Sequence, residues 1–240
     1  MILVKPSFEI ITPINGEEIL KNIEFAARTC YKSEGKIIIN HIPIDGKDTY
    51  KNSYAESARI LIPKLIKRGH FAMLEFGGMV TVKFICDRGI SHELVRHRLA
   101  SFAQESTRYC NYDNNEHIQF VLPIDNPNKD CYKAEFDINN IDKDKLRPIW
   151  FDWFTAMIMA ETIYKMMVSK DYGISPQIAR SVLPNSLKTE INMSANLREW
   201  REIFKQRTAE AAHPQMKELM RPLLDEFKKR IPIIFDDINY

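Results

Sequence analysis

The apolar run from Ile149 to Val168 places the strongest constraint on how this chain can fold. A run of this length is enough to cross a bilayer, which takes about 20 apolar residues. It contains Asp152, Glu161 and Lys165, however, and a charged side chain near the middle of a bilayer is costly. We therefore predict a long helix over about residues 145–169, which serves as a core or interface helix of a water-soluble protein.

Composition and charge exclude several classes of protein. The chain has 240 residues, of which 45% are hydrophobic and 28% are charged, as in globular rather than disordered proteins. There are 34 Lys and Arg against 32 Asp and Glu, a formal net charge of +2. A protein that binds nucleic acid over its whole surface usually has a larger basic excess, so we expect no nucleic-acid partner. A local basic pocket is still allowed.

The cysteines and the first residues favour a cytoplasmic protein. Cys30, Cys86, Cys110 and Cys131 include no C-x-x-C pair, so no zinc site or other metal site is predicted. The sequence MILVKPSFEI lacks the basic head and apolar run of a secretory signal. We therefore expect reduced thiols in a cytoplasmic protein with no membrane partner.

Patterns along the chain predict an α+β fold. Apolar or β-branched patterns predict strands over residues 2–11, 79–86 and 187–193. Helical spacing, caps and breakers predict helices over 17–31, 53–68 and 145–169, short helices capped by Ser91 and Ser175, and helices from about Leu197 and Pro214. Residues 33–50 are predicted as a loop and residues 125–144 as exposed. Because no repeat or flexible linker divides the chain, we predict one domain over residues 1–240 with a mixed or antiparallel sheet.

Residues 93–109, with the sequence ELVRHRLASFAQESTRY, hold the densest cluster of functional side chains. The segment combines three arginines with a histidine, two carboxylates and three short hydroxyls. Guanidinium groups bind phosphate and carboxylate oxygens two at a time, and the hydroxyl and N–H groups of a Ser-rich turn add donors. The residues alone therefore indicate a site for a phosphorylated small molecule.

Composition leaves two other interpretations of this segment open. A solvated loop of mixed charge after a short helix is favoured about as much as a phosphate site. An arginine-rich arm that binds nucleic acid is the third interpretation. The interleaved Glu93 and Glu105 and the nearly neutral chain make it the weakest of the three.

The same segment resembles the signature R-H-R-x2-S-x4-S-x-R of flavin-dependent thymidylate synthases. The matching residues are Arg96, His97, Arg98, Ser101, Ser106 and Arg108. Three further elements of the family are similar to segments of this chain in the same order: Gly69-His70 with Glu75 for GH-x4-E-H, Ala179-Arg180 to Pro184 for A-R-x-x-L-P, and Asn196 to Arg198 with Arg207 for N-x-R and its downstream arginine. The resemblance extends from about Cys30 to His213.

Four positions depart from the usual family pattern. Phe76 stands where His is frequent, Gln104 where Glu is common, Glu202 where some members have Asn, and Cys30 where Ser can occur. The signature itself is unaffected.

The resemblance implies an enzyme that methylates dUMP to dTMP. In this family the carbon comes from 5,10-methylenetetrahydrofolate, and the electrons come from tightly bound FAD that NADPH reduces. Members form homotetramers in which several chains build each site. Folate, NADPH and dUMP would then be the small-molecule partners of this chain.

The resemblance also assigns residues to each ligand, position by position. FAD would contact His70, Arg96, His97, Arg98, Gln104, Asn196, Leu197, Arg198 and Glu202. The nucleotide dUMP would lie against Glu93, Leu94, Val95, Arg96, Gln104, Glu105, Ser106, Thr107, Arg108, Arg180 and Arg207. Arg207 would be the catalytic residue, because a cation beside the pyrimidine stabilises negative charge that develops on the ring.

Taken one by one, several of these residues have simpler interpretations. Arg207 would be a surface arginine paired with Glu202 or Glu210, His70 a capping or otherwise hydrogen-bonded histidine, and Asn196 a helix cap. Two other functions also stay open. One is a nucleotide- or RNA-binding module without catalysis, and the other is a flavoprotein reductase that acts on another substrate.

Overall fold

The computed structural model describes residues 1–37, 40–44, 47–53, 56–112, 118–123 and 148–240. The strands are β1 (Ile2–Val4), β2 (Ser7–Ile10), β3 (Asn40–Ile44), β4 (Lys47–Ser53), β5 (Met79–Asp87), β6 (Ser101–Gln104), β7 (Gln119–Val121) and β8 (Lys188–Asn196). The helices are α1 (Gly16–Cys30), α2 (Glu56–Lys67), α3 (Arg88–Leu94), α4 (Pro148–Val168), α5 (Pro176–Ala179), α6 (Leu197–Arg207) and α7 (Pro214–Arg230). Short 3-10 helices cover Glu34–Lys36, Phe71–Gly77 and Arg180–Val182.

The predicted α+β class is confirmed. A four-stranded sheet has the order β2-β5-β8-β6, and two further pairs consist of β1 with β7 and β3 with β4. The β1 and β7 pair is parallel, with Leu3 opposite Phe120, and the β3 and β4 pair is antiparallel. The described residues thus contain both pairing directions.

The chain divides into two compact units. The first unit comprises residues 1–9, 83–98 and 102–193. Its core joins β1 and β7 to one face of α4 through Met1, Leu3, Ile118, Phe120, Leu122, Phe154, Met157, Tyr164, Ala179 and Leu187. Glu161 is buried in this core, where it accepts a hydrogen bond from the Ile118 N–H at 3.1 Å and pairs with Lys165 at 3.0 Å. These partners explain why a carboxylate is tolerated in so apolar a helix.

The second unit comprises residues 10–82, 99–101 and 194–240. Its core contains four aromatic rings on α6, α7 and the C-terminal tail: Trp200, Phe204, Phe227 and Phe235. Neighbouring ring centroids lie 5.1 to 5.6 Å apart, mostly edge to face, which is a favourable arrangement for aromatic pairs. In the same unit α1 packs against α2 and against the 3-10 helix over Phe71–Gly77.

Gly77 allows this 3-10 helix to approach its neighbours closely. A Cβ atom at this position would lie 2.5 Å from Leu197 Cδ1 and 3.1 Å from Ile23 Cδ1. Any larger residue would therefore require the Leu197 side chain or the 3-10 helix itself to shift.

Several predicted boundaries are wrong. The strand predicted over 2–11 is two strands, because Lys5-Pro6 interrupts the pairing and proline has no N–H to donate. The loop predicted over 33–50 contains β3 and the start of β4. The predicted strand over 187–193 continues to Asn196, and two short strands, β6 and β7, were not predicted.

The helix predicted to start at Ser91 begins one turn earlier. Asp87 is its N-cap, and the Asp87 carboxylate accepts from the Ile90 N–H at 2.7 Å. Ser91 is buried inside α3. Aspartate is as good a cap as serine, so the sequence alone did not discriminate between the two starts.

The long predicted helix is confirmed as α4, but only one face of it is buried. Ile149, Met159, Ile163 and Met166 are exposed on the other face. The segment predicted to be exposed over 125–144 lies outside the described residues. In the part of the chain that the structure describes, no helix is long and apolar enough to cross a membrane.

Candidate functional site

Residues 105–112 form a loop in the first unit that carries the end of the arginine-rich segment. The Ser106 carbonyl accepts from the N–H groups of Tyr109 at 3.1 Å and Cys110 at 2.9 Å, and its hydroxyl accepts from the Arg108 N–H at 3.3 Å. These bonds form a tight turn that leaves Arg108 exposed and buries Thr107. An exposed guanidinium on a Ser-rich turn is a suitable arrangement for binding an oxyanion.

Arg180 joins the A-R-x-x-L-P segment to this loop. Its Nη1 donates to the Thr107 hydroxyl at 3.0 Å. Arg180 lies at the C-terminal end of α5, where Ala179 is buried and anchors the helix in the core. The side chain of Arg180 is therefore held against the turn that carries Arg108.

Gln104 ends β6 and faces the interior. Its side-chain amide donates to the Ser91 hydroxyl at 2.8 Å and to the Thr189 hydroxyl at 3.2 Å. These contacts connect the loop to α3 and β8. Gln104 thus fixes the start of the loop.

The signature residues 96–98 follow α3 in a turn. His97 is buried, whereas Arg96 and Arg98 on either side of it are exposed. This alternation anchors the turn through the imidazole and presents two cationic side chains to solvent. The predicted substrate residues before the turn differ in the same way: Leu94 is fully buried, Glu93 is half-buried and Val95 is exposed. Leu94 therefore exposes neither its side chain nor its backbone, and its carbonyl accepts from the His97 N–H at 3.1 Å.

A cavity of about 560 Å³ opens beside the loop within the first unit. It is lined by Lys83, Ala103, Gln104, Glu105, Cys110, Lys188, Glu190 and Asn192. Glu190 pairs with Lys83 at 2.5 Å and with Lys188 at 2.6 Å. The hydrogen bond from Lys188 is the largest cause, and that from Lys83 the second, of a lowered pKa of Glu190. The hydrogen bond to Glu190 in turn raises the pKa of Lys83. The cavity is therefore polar with balanced charge and offers both donors and acceptors.

In the second unit, His70 is positioned by the end of α2. Gly69 has a φ of +74° and terminates the helix, a conformation that L side chains rarely adopt. His70 is exposed, and its Nδ1 lies 3.3 Å from the Tyr31 hydroxyl. His70 is the N-cap residue of the 3-10 helix that follows, but its side chain makes no cap hydrogen bond and has the Tyr31 hydroxyl as its partner, as expected for a hydrogen-bonded histidine.

Arg198 and Glu75 bring two sequence motifs together in the same unit. Arg198 Nη1 donates to Glu75 Oε1 at 2.8 Å, and both side chains are about half exposed. Asn196 caps α6 by accepting from the Glu199 N–H at 2.9 Å, which confirms its interpretation as a helix cap. Leu197 is fully buried, and exposed Glu202 pairs with Lys205 at 3.0 Å.

Arg207 is the last residue of α6 and is half-buried. The two glutamates considered as its partners form other ion pairs. Glu202 pairs with Lys205, and Glu210 pairs with Lys217 at 3.0 Å and Arg221 at 2.7 Å. Those ion pairs lower the pKa of Glu210, the hydrogen bond from Arg221 being the largest cause.

Several residues that contact the predicted site were missed by sequence reasoning. Tyr112, Lys188 and Glu190 surround Glu105, and Tyr31 lies beside His70. The alternation in β8 could have placed Lys188 and Glu190 on one face, but nothing in the sequence gave their partner. Among the described residues there is no group of three or more His, Cys, Asp or Glu that could hold a metal ion.

Fold and site together define an α+β protein with a Ser-rich turn and exposed arginines. Residues 14–233 match the family described as thymidylate synthase complementing protein. The chain is 33% identical to the flavin-dependent thymidylate synthase of Pyrococcus furiosus over 179 residues, which are 74% of this chain and 64% of that protein. It is 31% identical to the enzyme of the same name from Pyrococcus abyssi, over 76% of this chain and 68% of that one.

Solved structures show the same fold. A UMP/dUMP methylase from Streptomyces cacaoi, bound with 5-Br dUMP, has a TM-score of 0.71 at 20% identity, covering 98% of this chain and 96% of that one. Thymidylate synthase X from Helicobacter pylori, with FAD and dUMP, has a TM-score of 0.64 at 22% identity, covering 97% and 98%. The chain belongs to the thymidylate synthase complementing protein family, which confirms the family predicted from residues 96–108.

Proposed function

We propose that the chain is a flavin-dependent thymidylate synthase that methylates dUMP to dTMP. The carbon donor is 5,10-methylenetetrahydrofolate, and the electron donor is FAD reduced by NADPH. The observation that carries the proposal is the hydrogen bond from Arg180 to Thr107, because it joins two family motifs on one anion-binding turn.

The loop over residues 105–112 binds the 5′-phosphate of dUMP. A dianion needs several charge-assisted donors, which Arg108, Arg180 and the Ser106 turn supply. Glu93, Leu94, Val95, Arg96 and Gln104 complete the nucleotide site in this proposal.

The residues proposed for FAD have the chemistry that the cofactor requires. Exposed Arg96, Arg98 and Arg198 offer cationic donors for a pyrophosphate, and exposed His70 offers a ring nitrogen. The remaining proposed contacts are His97, Gln104, Asn196, Leu197 and Glu202. When bound, the flavin supplies the redox chemistry, while the protein supplies orientation and charge.

Arg207 is the proposed catalytic residue. Its guanidinium would stabilise negative charge on the pyrimidine as carbon 5 becomes nucleophilic. Arg207 ends α6, the helix that Asn196 caps, so its backbone is held on a regular helix. A catalytic group on a helix is held more precisely than one on a loop.

The proposed assembly is a cytoplasmic homotetramer in which each chain contributes residues 1–240 as one domain. The exposed apolar face of α4 supports a subunit contact there. Ile149, Met159, Ile163 and Met166 lie along one side of α4 and are exposed. Exposed apolar side chains that cluster on one side of a helix often mark an interaction site, and a second copy of the chain would cover them.

The visible spectrum of the protein after addition of FAD tests the flavin proposal. We expect flavin absorption that stays with the protein through gel filtration and bleaches when NADPH is added without oxygen. A protein that remains colourless would favour the nucleotide- or RNA-binding module instead. A yellow protein that does not bind dUMP would favour a reductase of another substrate.

A further inference from the structure

The carboxylate of Glu105 points into the first unit, where three donors surround it. The Tyr112 hydroxyl donates to Oε1 at 2.7 Å, while the Glu190 N–H at 3.2 Å and Lys188 Nζ at 3.4 Å approach Oε2. The Glu105 N–H in turn donates to the Glu190 carbonyl at 2.9 Å. Both carboxylate oxygens are thus engaged within the protein.

Tyr112 is held as firmly as Glu105. Its ring is half-buried and packs against the core, with its centroid 5.8 Å from that of Tyr164 on α4. Burial, followed by the hydrogen bond to Glu105, raises the pKa of the Tyr112 hydroxyl well above its usual value. The hydroxyl therefore remains a donor throughout the physiological pH range.

The hydrogen bond between Tyr112 and Glu105 joins the first and last residues of the loop. Between these residues lie Ser106, Thr107 and Arg108, which form the proposed phosphate site. The loop is fixed to β8 at its start through Glu105 and to the α4 core at its end through Tyr112. A loop that is ordered before the ligand arrives loses less conformational entropy on binding.

We propose that Tyr112 is a positioning residue for dUMP and acts through Glu105 to hold the phosphate-binding turn in its binding conformation. The inference rests on the proposed function, and it assigns Glu105 an anchoring role rather than direct contact with the nucleotide. Neither side chain would touch the reacting atoms. Their loss should therefore weaken nucleotide binding and leave the chemical step unchanged.

Tyr112→Phe is the direct test, because it removes one hydroxyl and retains the packed ring. We expect KM and Kd for dUMP to rise about tenfold, in line with the usual worth of a hydrogen bond to a charged group, with kcat and FAD affinity within about twofold of the original protein. Tyr172→Phe is the matched control, since Tyr172 is exposed and lies in a turn after α4. If Tyr112 were important only for folding, Tyr112→Phe would lower the thermal stability without raising KM for dUMP at an unchanged kcat.

A double-mutant cycle with Glu105→Ala tests whether Tyr112 acts through Glu105. Glu105→Ala alone should raise KM to a similar extent, and adding Tyr112→Phe should change it little further. Additive effects, or an unchanged KM in Tyr112→Phe, would overturn the inference. If the unmodified protein does not bind dUMP at all, the proposed function fails instead, so the two failures are distinguishable.

Discussion

Arg180 and Thr107 are 73 positions apart in the chain and are joined by a hydrogen bond of 3.0 Å. The bond connects the end of α5 to the loop over residues 105–112, within a single compact unit. Thr107 is buried by its surroundings, while Arg180 and the neighbouring Arg108 are exposed. The Arg180 motif therefore holds the Thr107 side chain of the turn, and both motifs place a guanidinium beside it.

Arg180→Ala should weaken dUMP binding about 10- to 100-fold, because a donor to a charged phosphate is lost together with a contact that orders the turn. FAD binding should be unchanged. Isothermal titration with dUMP measures the effect, and Lys170→Ala, at an exposed lysine in the same unit, is the control. Equal dUMP affinity in Arg180→Ala would contradict the phosphate assignment.

Glu75→Ala should reduce FAD affinity about threefold, and Arg198→Ala about tenfold. Glu75 only orients the Arg198 guanidinium through the 2.8 Å ion pair, whereas Arg198 contacts the cofactor in our proposal. Thermal stability should hardly change, since exposed ion pairs contribute little. Fluorescence titration with FAD measures both variants.

The control for this pair is Glu226→Ala. Glu226 is also a partner of exposed cations, at 2.8 Å from Lys229 and 3.3 Å from Arg230. Its removal should leave FAD affinity unchanged. A larger effect of Glu75→Ala than of Arg198→Ala would show that Glu75, rather than Arg198, contacts the cofactor.

Asp237→Asn should destabilise the fold in a pH-dependent way. Asp237 forms a bidentate ion pair with buried Arg201, whose Nη1 and Nη2 donate to Oδ1 at 2.6 Å and to Oδ2 at 2.7 Å. The hydrogen bond from Arg201 lowers the pKa of Asp237. Ionised Asp237 therefore stabilises the fold above its unfolded-state pKa of about 3.9, and this contribution is lost as pH falls through the lower folded-state pKa. At pH 7 we expect the free energy of unfolding of Asp237→Asn to be lower by about 2 kcal/mol. The effect is smaller than for a fully buried pair because the Asp237 side chain is half exposed.

Urea unfolding at several pH values measures this difference. The difference in the free energy of unfolding between the original protein and Asp237→Asn should be constant above about pH 5 and should become smaller below about pH 4. Asp171→Asn, at an exposed aspartate in a turn, is the control. A gap that stays constant down to about pH 2 would show that the charge of Asp237 is not what stabilises Arg201.

Cys30 and Cys86 should differ sharply in reactivity toward iodoacetamide at pH 8. Cys30 is exposed, whereas burial raises the pKa of the Cys86 thiol to about 12. Since the thiolate is the reactive form, Cys86 would be ionised to only about one part in ten thousand at this pH. Peptide mapping should find Cys30 alkylated first and Cys86 alkylated only after unfolding. Rapid labelling of Cys86 in the folded protein would contradict its placement in β5.

Met159→Lys should disrupt the proposed homotetramer. The substitution places a charge in the middle of the exposed apolar face of α4, where a second copy would have to bury it. Sedimentation velocity should detect a smaller species, while Gln177→Lys, at an exposed position of α5, should leave the assembly intact. A Met159→Lys protein of unchanged mass would place the subunit contact elsewhere.

The sequence predicted the class of fold and most helices because their signals are local. The apolar spacing of α1 and the β-branched residues of β5 suffice to define those elements, whatever packs against them. The strand β3 was missed because its residues, which include Asn40 and Pro43, lack the alternation that marks a strand. Strand formation depends on the partner strand, and a single sequence does not specify that partner.

The same limit applies to the candidate site. Motif spacing identified Thr107, Arg108 and Arg180, but not that Thr107 and Arg180 share a hydrogen bond. Tyr112 and Lys188 match no motif, and their role depends on where the fold places Glu105. Residues that contact a ligand carry a chemical signature in the sequence, whereas residues that hold them in place become visible only in the structure.

The most direct test of the proposed activity is to incubate the FAD-loaded protein with dUMP, 5,10-methylenetetrahydrofolate and NADPH and to identify the nucleotide product chromatographically. We expect dTMP from the unmodified protein, and none above background from Arg207→Ala, which should still bind FAD. Formation of dTMP that depends on all three small molecules would establish the activity. A flavin-loaded protein that oxidises NADPH but leaves dUMP unchanged would contradict it and identify a reductase of another substrate.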